Sequence, residues 1–345
     1  MTLSRRIFLG ASAGLALPAV AACGGSGAGG SGTKAGTTWK LAFNQTAEHP
    51  QFKAAAELGK KLAAATDNRY TVEPYPNEQL GSQNEVIQNL SNGTVEMMYV
   101  GGPVMEGFNK DFIVFNLPYV FESIEAQNAV FGDDSLLKEL FASVEASKNI
   151  TVLAALHAGV RNVYNSKRAI KSPADLKGLK VRVQQSDSQV KMIQGMGAIA
   201  SPMGQGEVYG ALQSGVLDGA ENNETVFDAL KHDEVAKYYS YTRHLMIPDY
   251  LLINTKTLNA MSAEDKAAFL KLIPETRKMA DDGFVDFVKT SKANAEKLGA
   301  KFNDDVDTAA FKSSVESLVK ESVSNPVRQK LYDAAVAANK KFPKK

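Results

Sequence analysis

Cysteine is nearly missing from this 345-residue chain: Cys23 stands alone. One thiol excludes an intramolecular disulfide framework and any Cys-x-x-Cys zinc or redox site. Excess charge is missing too. Lys and Arg number 39 against 38 Asp and Glu, a net +1, without the cation surplus that non-specific nucleic-acid binding needs. His49, His157, His232 and His244 lie far apart with no His-Glu-x-x-His spacing, so neither a metal nor another cofactor is expected. No Gly-x-Ser-x-Gly elbow, Ser-x-x-Lys pair or P-loop occurs, which leaves nucleophilic catalysis without a candidate. Carboxylate pairs such as Asp281-Asp282 and Asp304-Asp305 sit among other charges and read as solvated faces, and Met97-Met98 reads as core.

What is present is a body with 44% hydrophobic and 22% charged residues, ordinary globular values, at a length that suggests two domains. Residues 1–22 read as an export signal: Ser4-Arg5-Arg6-Ile7-Phe8-Leu9, a short apolar stretch, then small residues. The stretch falls short of the roughly 20 residues a membrane span needs. Arg5-Arg6 with Phe8-Leu9 resembles a twin-arginine motif, and Val20-Ala21-Ala22-Cys23 resembles a bacterial lipobox, which marks Cys23 for lipidation. Cleavage there removes Arg5 and Arg6 and takes the net charge from +1 to −1. Residues 23–38 are rich in Gly, Ser and Thr and read as a flexible tether. Its Gly-x-Gly-x-x-Gly match has no strand before it or helix after it, and carries no dinucleotide-binding meaning.

From Trp39 the pattern alternates. Strands are expected at Trp39–Phe43, at Tyr70–Val72 ending by Pro74, and at Val95–Val100, with helices at Gln51–Ala65 and Ser82–Leu90 between them. Further strands are expected at Thr151–Leu156, Val160–Tyr164 and Leu179–Val183, with helices at Asp187–Met196 and Gly206–Gln213. This alternation predicts an α/β fold with parallel sheets. From Ser262 the chain reads as helical almost to its end, with Pro274 expected to kink or interrupt it.

Two arginines stand out. Strand alternation puts Leu179, Val181 and Val183 on one face and Arg182 on the other; Arg161 begins a neighbouring strand. Each is either solvent-facing or a clamp for a carboxylate, which a guanidinium grips with two parallel hydrogen bonds. Periodicity alone does not place them in one cleft.

The segments Arg161-Asn-Val-Tyr-Asn165, Ile170-Lys-Ser-Pro-Ala-Asp-Leu-Lys-Gly-Leu-Lys-Val-Arg182 and Glu207-Val-Tyr-Gly-Ala-Leu-Gln-Ser-Gly-Val-Leu-Asp-Gly-Ala-Glu-Asn222 resemble the DctP-type substrate-binding proteins of TRAP (tripartite ATP-independent periplasmic) transporters. Pro76-Asn-Glu-Gln-Leu-Gly81 and Leu117-Pro-Tyr-Val-Phe121 match as well. The resemblance implies a two-lobed periplasmic-binding-protein-like α/β fold with hinge strands and a long lobe-spanning helix. Lobe I would comprise residues 39–158 plus 248–287, and lobe II residues 159–247 plus 288–345. It further implies that Arg182 holds the substrate carboxylate, that Arg161 assists, and that Asn222 adds a hydrogen bond. Asn44, His49 and Gln83 are weaker candidates for sugar hydroxyls, because they follow the first strand or begin helices, where cleft residues arise. Sugar-acid binders often carry glutamate where this chain has Gln83.

The expected function is a non-catalytic, monomeric, lipid-anchored receptor, exported to the periplasm or the outer face of the cytoplasmic membrane. It would bind a small organic acid, best matched by the uronate branch, and hand it to TRAP membrane permease subunits. The alternatives are a receptor for C4-dicarboxylates or another small organic acid and, more distantly, an exported enzyme acting on carbohydrate acids. The enzyme would need a general acid and base that the sequence does not supply.

Overall fold

A computed structural model describes residues 36–344 of the chain. The expected signal segment 1–22, the lipidation site Cys23 and most of the tether lie outside the described residues.

The described strands are β1 (Thr37–Ala42), β2 (Tyr70–Tyr75), β3 (Met97–Gly101), β4 (Ile150–His157), β5 (Arg161–Asn165), β6 (Lys180–Val183), β7 (Ile199–Pro202), β8 (Gly219–Asn222), β9 (Tyr238–Leu245), β10 (Pro248–Asn254) and β11 (Lys301–Asn303). They form two sheets, ordered β2-β1-β3-β10-β4 and β11-β9-β5-β8-β6-β7. β3 is central in the first sheet and buried along its whole length, Met97 and Met98 included. Such burial on both faces matches its unbroken apolar run. The sheets are mixed, not purely parallel. In the first, β10 runs antiparallel to β3 and β4; in the second, β5 runs antiparallel to β8 and β9.

Three connections join the sheets. The chain crosses through Ala158-Gly159-Val160 after β4 and returns through Met246-Ile247 after β9. The third is the helix Ala263–Lys297, 35 residues long, capped by Ser262 accepting from the Asp265 N–H. Phe269, Ile273, Thr276, Ala280 and Phe284 line its buried face at the spacing of three to four that one helical stripe requires. Its N-terminal half packs on the helix Pro50–Ala65 through a Lys61–Glu275 ion pair, while Arg69 just beyond that helix grips Asp265. Its C-terminal half packs on Glu224–Ala229, where Asn294 donates to Asp228 at 3.2 Å.

Neither proline ends its element. Pro74 lies inside β2, an edge strand paired only with β1, where a missing N–H costs no ladder bond. Pro274 lies inside the long helix, which continues through it on the exposed side; Leu270, whose carbonyl loses its partner, is exposed too. There water can take the freed carbonyl. The tail is not wholly helical either, because β11 interrupts it and adds an edge to the second sheet.

The turn at Gly159 requires glycine. Its φ is +74°, and a Cβ there would sit 2.8 Å from the Phe284 ring of the long helix. Among the described residues, no helix is long and apolar enough to cross a membrane, and no group of three or more His, Cys, Asp or Glu is placed to hold a metal.

Candidate functional site

In-register pairing places Arg182 on β6, Ala220 on β8 and Tyr164 on β5 in one row, so their side chains rise from the same face of the second sheet. Val163 and Glu221 form the adjacent row and belong to the opposite face.

Arg182 is only 3% exposed. Its Nε and Nη2 donate to the Met203 carbonyl at 3.0 and 2.8 Å, and Nη1 donates to Gln205 Oε1 at 3.3 Å. That engages three of the five guanidinium N–H groups. Among the described residues none of its hydrogen bonds goes to a carboxylate. Burial pulls its pKa down to about 10, opposed by Glu221 and reinforced by Arg161, so it stays charged at neutral pH. Arg182 is therefore a buried cation with donors to spare.

Arg161 is bound differently. Its Nε and Nη2 reach the two Glu221 carboxylate oxygens at 2.6 and 2.5 Å, Nη2 also donates to the Glu221 carbonyl, and Nη1 donates to Asn222 Oδ1 at 2.9 Å. Burial would lower the Arg161 pKa, but the Glu221 charge and hydrogen bonds raise it. Burial would likewise raise that of Glu221; Arg161 and the nearby His244 outweigh it and hold the carboxyl at about 2. His244 Nε2 lies 3.4 Å from Glu221 Oε2 and forms no aligned hydrogen bond to it. Two similar arginines thus have opposite electrostatics, one paired and the other not.

Arg182, Gln83, Gln184 and Glu78 wall a narrow cavity. It adjoins a second, of 160 Å³, walled by Asn44, Glu78, Gln205, Tyr209 and His232. Residues 77–84 follow β2 of the first sheet, whereas 182–185 and 203–209 belong to the second. The space is therefore a cleft between the sheets. Two hydrogen bonds cross it: Gly206 N–H to Glu78 Oε2 at 3.1 Å, and Asn84 Nδ2 to Gln185 Oε1 at 2.7 Å. Gln184 Oε1 and Gln205 Nε2 are buried without a partner among the described residues, an arrangement that favours a polar occupant. Burial pushes the Glu78 carboxyl up, against the Gly206 hydrogen bond and the Arg182 charge. His232 forms part of the cavity wall, and its Nδ1 lies 2.6 Å from the Tyr164 hydroxyl, both side chains buried. Burial, helped by Arg182, drives the His232 pKa to about 3.

The structure brings Arg182, Gln83 and Asn44 to the walls of this cleft. Gln83 Oε1 accepts from the Gly101 N–H at 2.7 Å. Arg161 and Asn222 are bonded to each other but line neither cavity. His49 lines neither cavity; it caps the helix Pro50–Ala65, accepting from the Gln51 N–H, with its ring against Phe43, Phe284 and Phe287. Glu78, Gln184, Gln205, Tyr164, His232 and Glu221 were not singled out from sequence. Of these, Gln184 and Glu221 carried a signal, being two residues and one residue from Arg182 and Asn222. A larger groove of 720 Å³ runs beside the long helix between Lys53 and Asp228, but no arginine lines it.

The model of the family DctP, bacterial extracellular solute-binding protein family 7, matches residues 41–325. A solute-binding protein of Chromohalobacter salexigens is 33% identical over 274 residues, covering 78% of this chain and 80% of its own length. A TRAP periplasmic solute-binding protein of Anaerococcus prevotii, solved with bound α/β-D-glucuronate, superposes with a TM-score of 0.86 at 35% identity, over 89% of this chain and 99% of that one. One from Xanthobacter autotrophicus, with bound β-D-galacturonate, gives 0.83 at 30% identity, over 87% and 99%.

Proposed function

The chain belongs to the DctP family of bacterial extracellular solute-binding proteins, the non-catalytic periplasmic receptors of TRAP transporters, and on that premise we propose that its solute is a hexuronate held through its carboxylate by Arg182. The observation that carries this reading is the state of Arg182: buried, charged, without a carboxylate partner among the described residues, and with two N–H groups left. A buried cation of this kind is completed by an anion, and a carboxylate accepts two parallel N–H bonds. The amides of Gln184 and Gln205 and the side chains of Glu78, Asn44 and Gln83 supply donors and acceptors suited to ring hydroxyls. Similar proteins solved with glucuronate and galacturonate support the same class.

Arg161 acts from beside the clamp. Glu221 cancels most of its charge, and its bond to Asn222 Oδ1 leaves the Asn222 Nδ2 donor unused by that pair. Residues 39–158 with 248–287 and residues 159–247 with 288–345 form the two lobes that close on the solute, turning at Gly159 and Met246-Ile247. Cys23 carries the lipid that keeps the receptor at the membrane beside its permease.

A thermal-shift panel tests the solute class. D-Glucuronate or D-galacturonate at 100 times Kd should stabilise the protein by about 2.7 kcal/mol and raise its Tm by several degrees, whereas succinate, malate and glucose should leave it unmoved. A shift with the C4-dicarboxylates and none with the uronates would overturn the reading.

A further inference from the structure

We propose that His232 contacts the ligand, donating from Nε2 to a ring hydroxyl of the bound sugar acid, and that Tyr164 is the positioning residue that fixes the required tautomer. The inference rests on the hexuronate reading and names a residue that discriminates within it.

The tautomer follows from hydrogen-bond bookkeeping. The Tyr164 hydroxyl is buried, and its only partner among the described residues is His232 Nδ1, 2.6 Å away. A phenol carries one O–H donor, and a neutral imidazole has one donor nitrogen and one acceptor. If Nδ1 held the proton, the Tyr164 O–H would be a buried donor without an acceptor, which folded proteins avoid. The O–H therefore donates to Nδ1, and the ring proton resides on Nε2.

Nε2 makes no hydrogen bond to the described residues, and the imidazole is a wall of the 160 Å³ cavity that adjoins the Arg182 clamp. Tyr164 lies two strands from Arg182 in one register row, and His232, bonded to Tyr164 and lining the adjoining cavity, sits to one side of the clamp, where the ring of a sugar acid would extend from its carboxylate. Burial and the Arg182 charge keep the imidazole neutral. A neutral N–H donor suits a hydroxyl and offers a second carboxylate no charge, so the pair favours hydroxylated acids over dicarboxylates. Glu78 and Asn44 on the same wall supply acceptors, and the unpartnered Gln205 Nε2 a further donor. A hydroxyl placed there can both donate and accept.

The experiment compares D-glucuronate with tetrahydropyran-2-carboxylate, which keeps the ring and carboxylate but lacks the ring hydroxyls, by calorimetry on wild type, His232→Ala, His232→Gln and Tyr164→Phe. His232→Ala should weaken glucuronate about 10- to 100-fold, His232→Gln less, and Tyr164→Phe about tenfold. All three should bind the hydroxyl-free acid within about twofold of wild type. As a check independent of the variants' folding, 15N spectra of histidine-labelled wild type should show His232 protonated at Nε2, with a signal that moves on adding glucuronate and not the hydroxyl-free acid. Tyr164→Phe should redistribute that tautomer, which a purely packing role would not do. Unchanged glucuronate affinity in His232→Ala, equal losses for both acids, or a proton on Nδ1 in wild type would each overturn the proposal. Wild type that binds no hexuronate at all would instead overturn the broader reading, and this assignment with it.

Discussion

Replacing Glu221 by glutamine keeps the side-chain volume and removes one charge. The charge is the one that neutralises Arg161: both carboxylate oxygens are engaged by its guanidinium and the side chain has no exposure. In the variant an NH2 group would replace one accepting oxygen, and the buried Arg161 guanidinium would lose its counter-charge. Two routes give the cost. The Glu221 carboxyl is held at about 2 against an ordinary 4.5, and at about 1.4 kcal/mol per pH unit that difference is worth about 3 kcal/mol. Breaking a buried ion pair by removing one partner costs about 3–5 kcal/mol. The sign follows from the lowered pKa: the stabilisation is complete above about pH 4.5 and is lost as pH falls towards 2. Urea unfolding followed by the emission of Trp39, the single tryptophan and a buried one, should show Glu221→Gln less stable by about 3 kcal/mol at pH 7. The gap between wild type and variant should narrow below pH 4.5. A difference under about 1 kcal/mol at pH 7, the range of an exposed pair, or one that stays constant down to pH 3.5, would refute the reasoning.

Other expectations follow from single features. Gly159→Ala forces an alanine to φ +74° and a Cβ against Phe284, so it should lower stability by about 1–3 kcal/mol; a chemical denaturation midpoint equal to wild type would show that the turn relaxes freely. Asn84→Ala removes a hydrogen bond that crosses the cleft between exposed side chains; it should leave the Tm within about 1 °C, since surface changes stay within roughly 0.5 kcal/mol, and a large drop would mean that the crossing contacts carry the fold. Cys23→Ala should release the protein from membranes still able to bind solute, because stable attachment needs at least two acyl chains; retention of the variant after a high-salt wash would dispose of the anchor.

The chain's own pattern carried the strand–helix alternation because it is local: β1, β3 and the helix Gln83–Asn92 with Gly93 at its end fall where apolar runs and stop signals put them. Alternation also separated Arg182 from Val181 and Val183. It left open whether that face meets solvent, since the cover over Arg182 comes from Met203, Gln205 and the Glu78 segment, distant in sequence. The Arg161–Glu221 pair was out of reach for the same reason: its partners are 60 residues apart on neighbouring strands. β11 is three residues long, too short for any periodicity to register. Pro274 does not break the helix because its missing N–H falls on the exposed side, which helix propensity ignores.

Arg182 offers the most direct test of the account. Calorimetry should compare D-glucuronate binding to wild type, Arg182→Lys and Arg182→Ala, with the uncharged glucuronamide as control. Lysine keeps the charge but not the forked geometry, so it should bind weakly and alanine more weakly still, by about 2–5 kcal/mol relative to wild type. Glucuronamide should bind poorly to all three with little difference among them. If Arg182→Ala binds glucuronate within about twofold of wild type, a loss below roughly 0.4 kcal/mol, Arg182 is not the carboxylate clamp and the site built around it is contradicted.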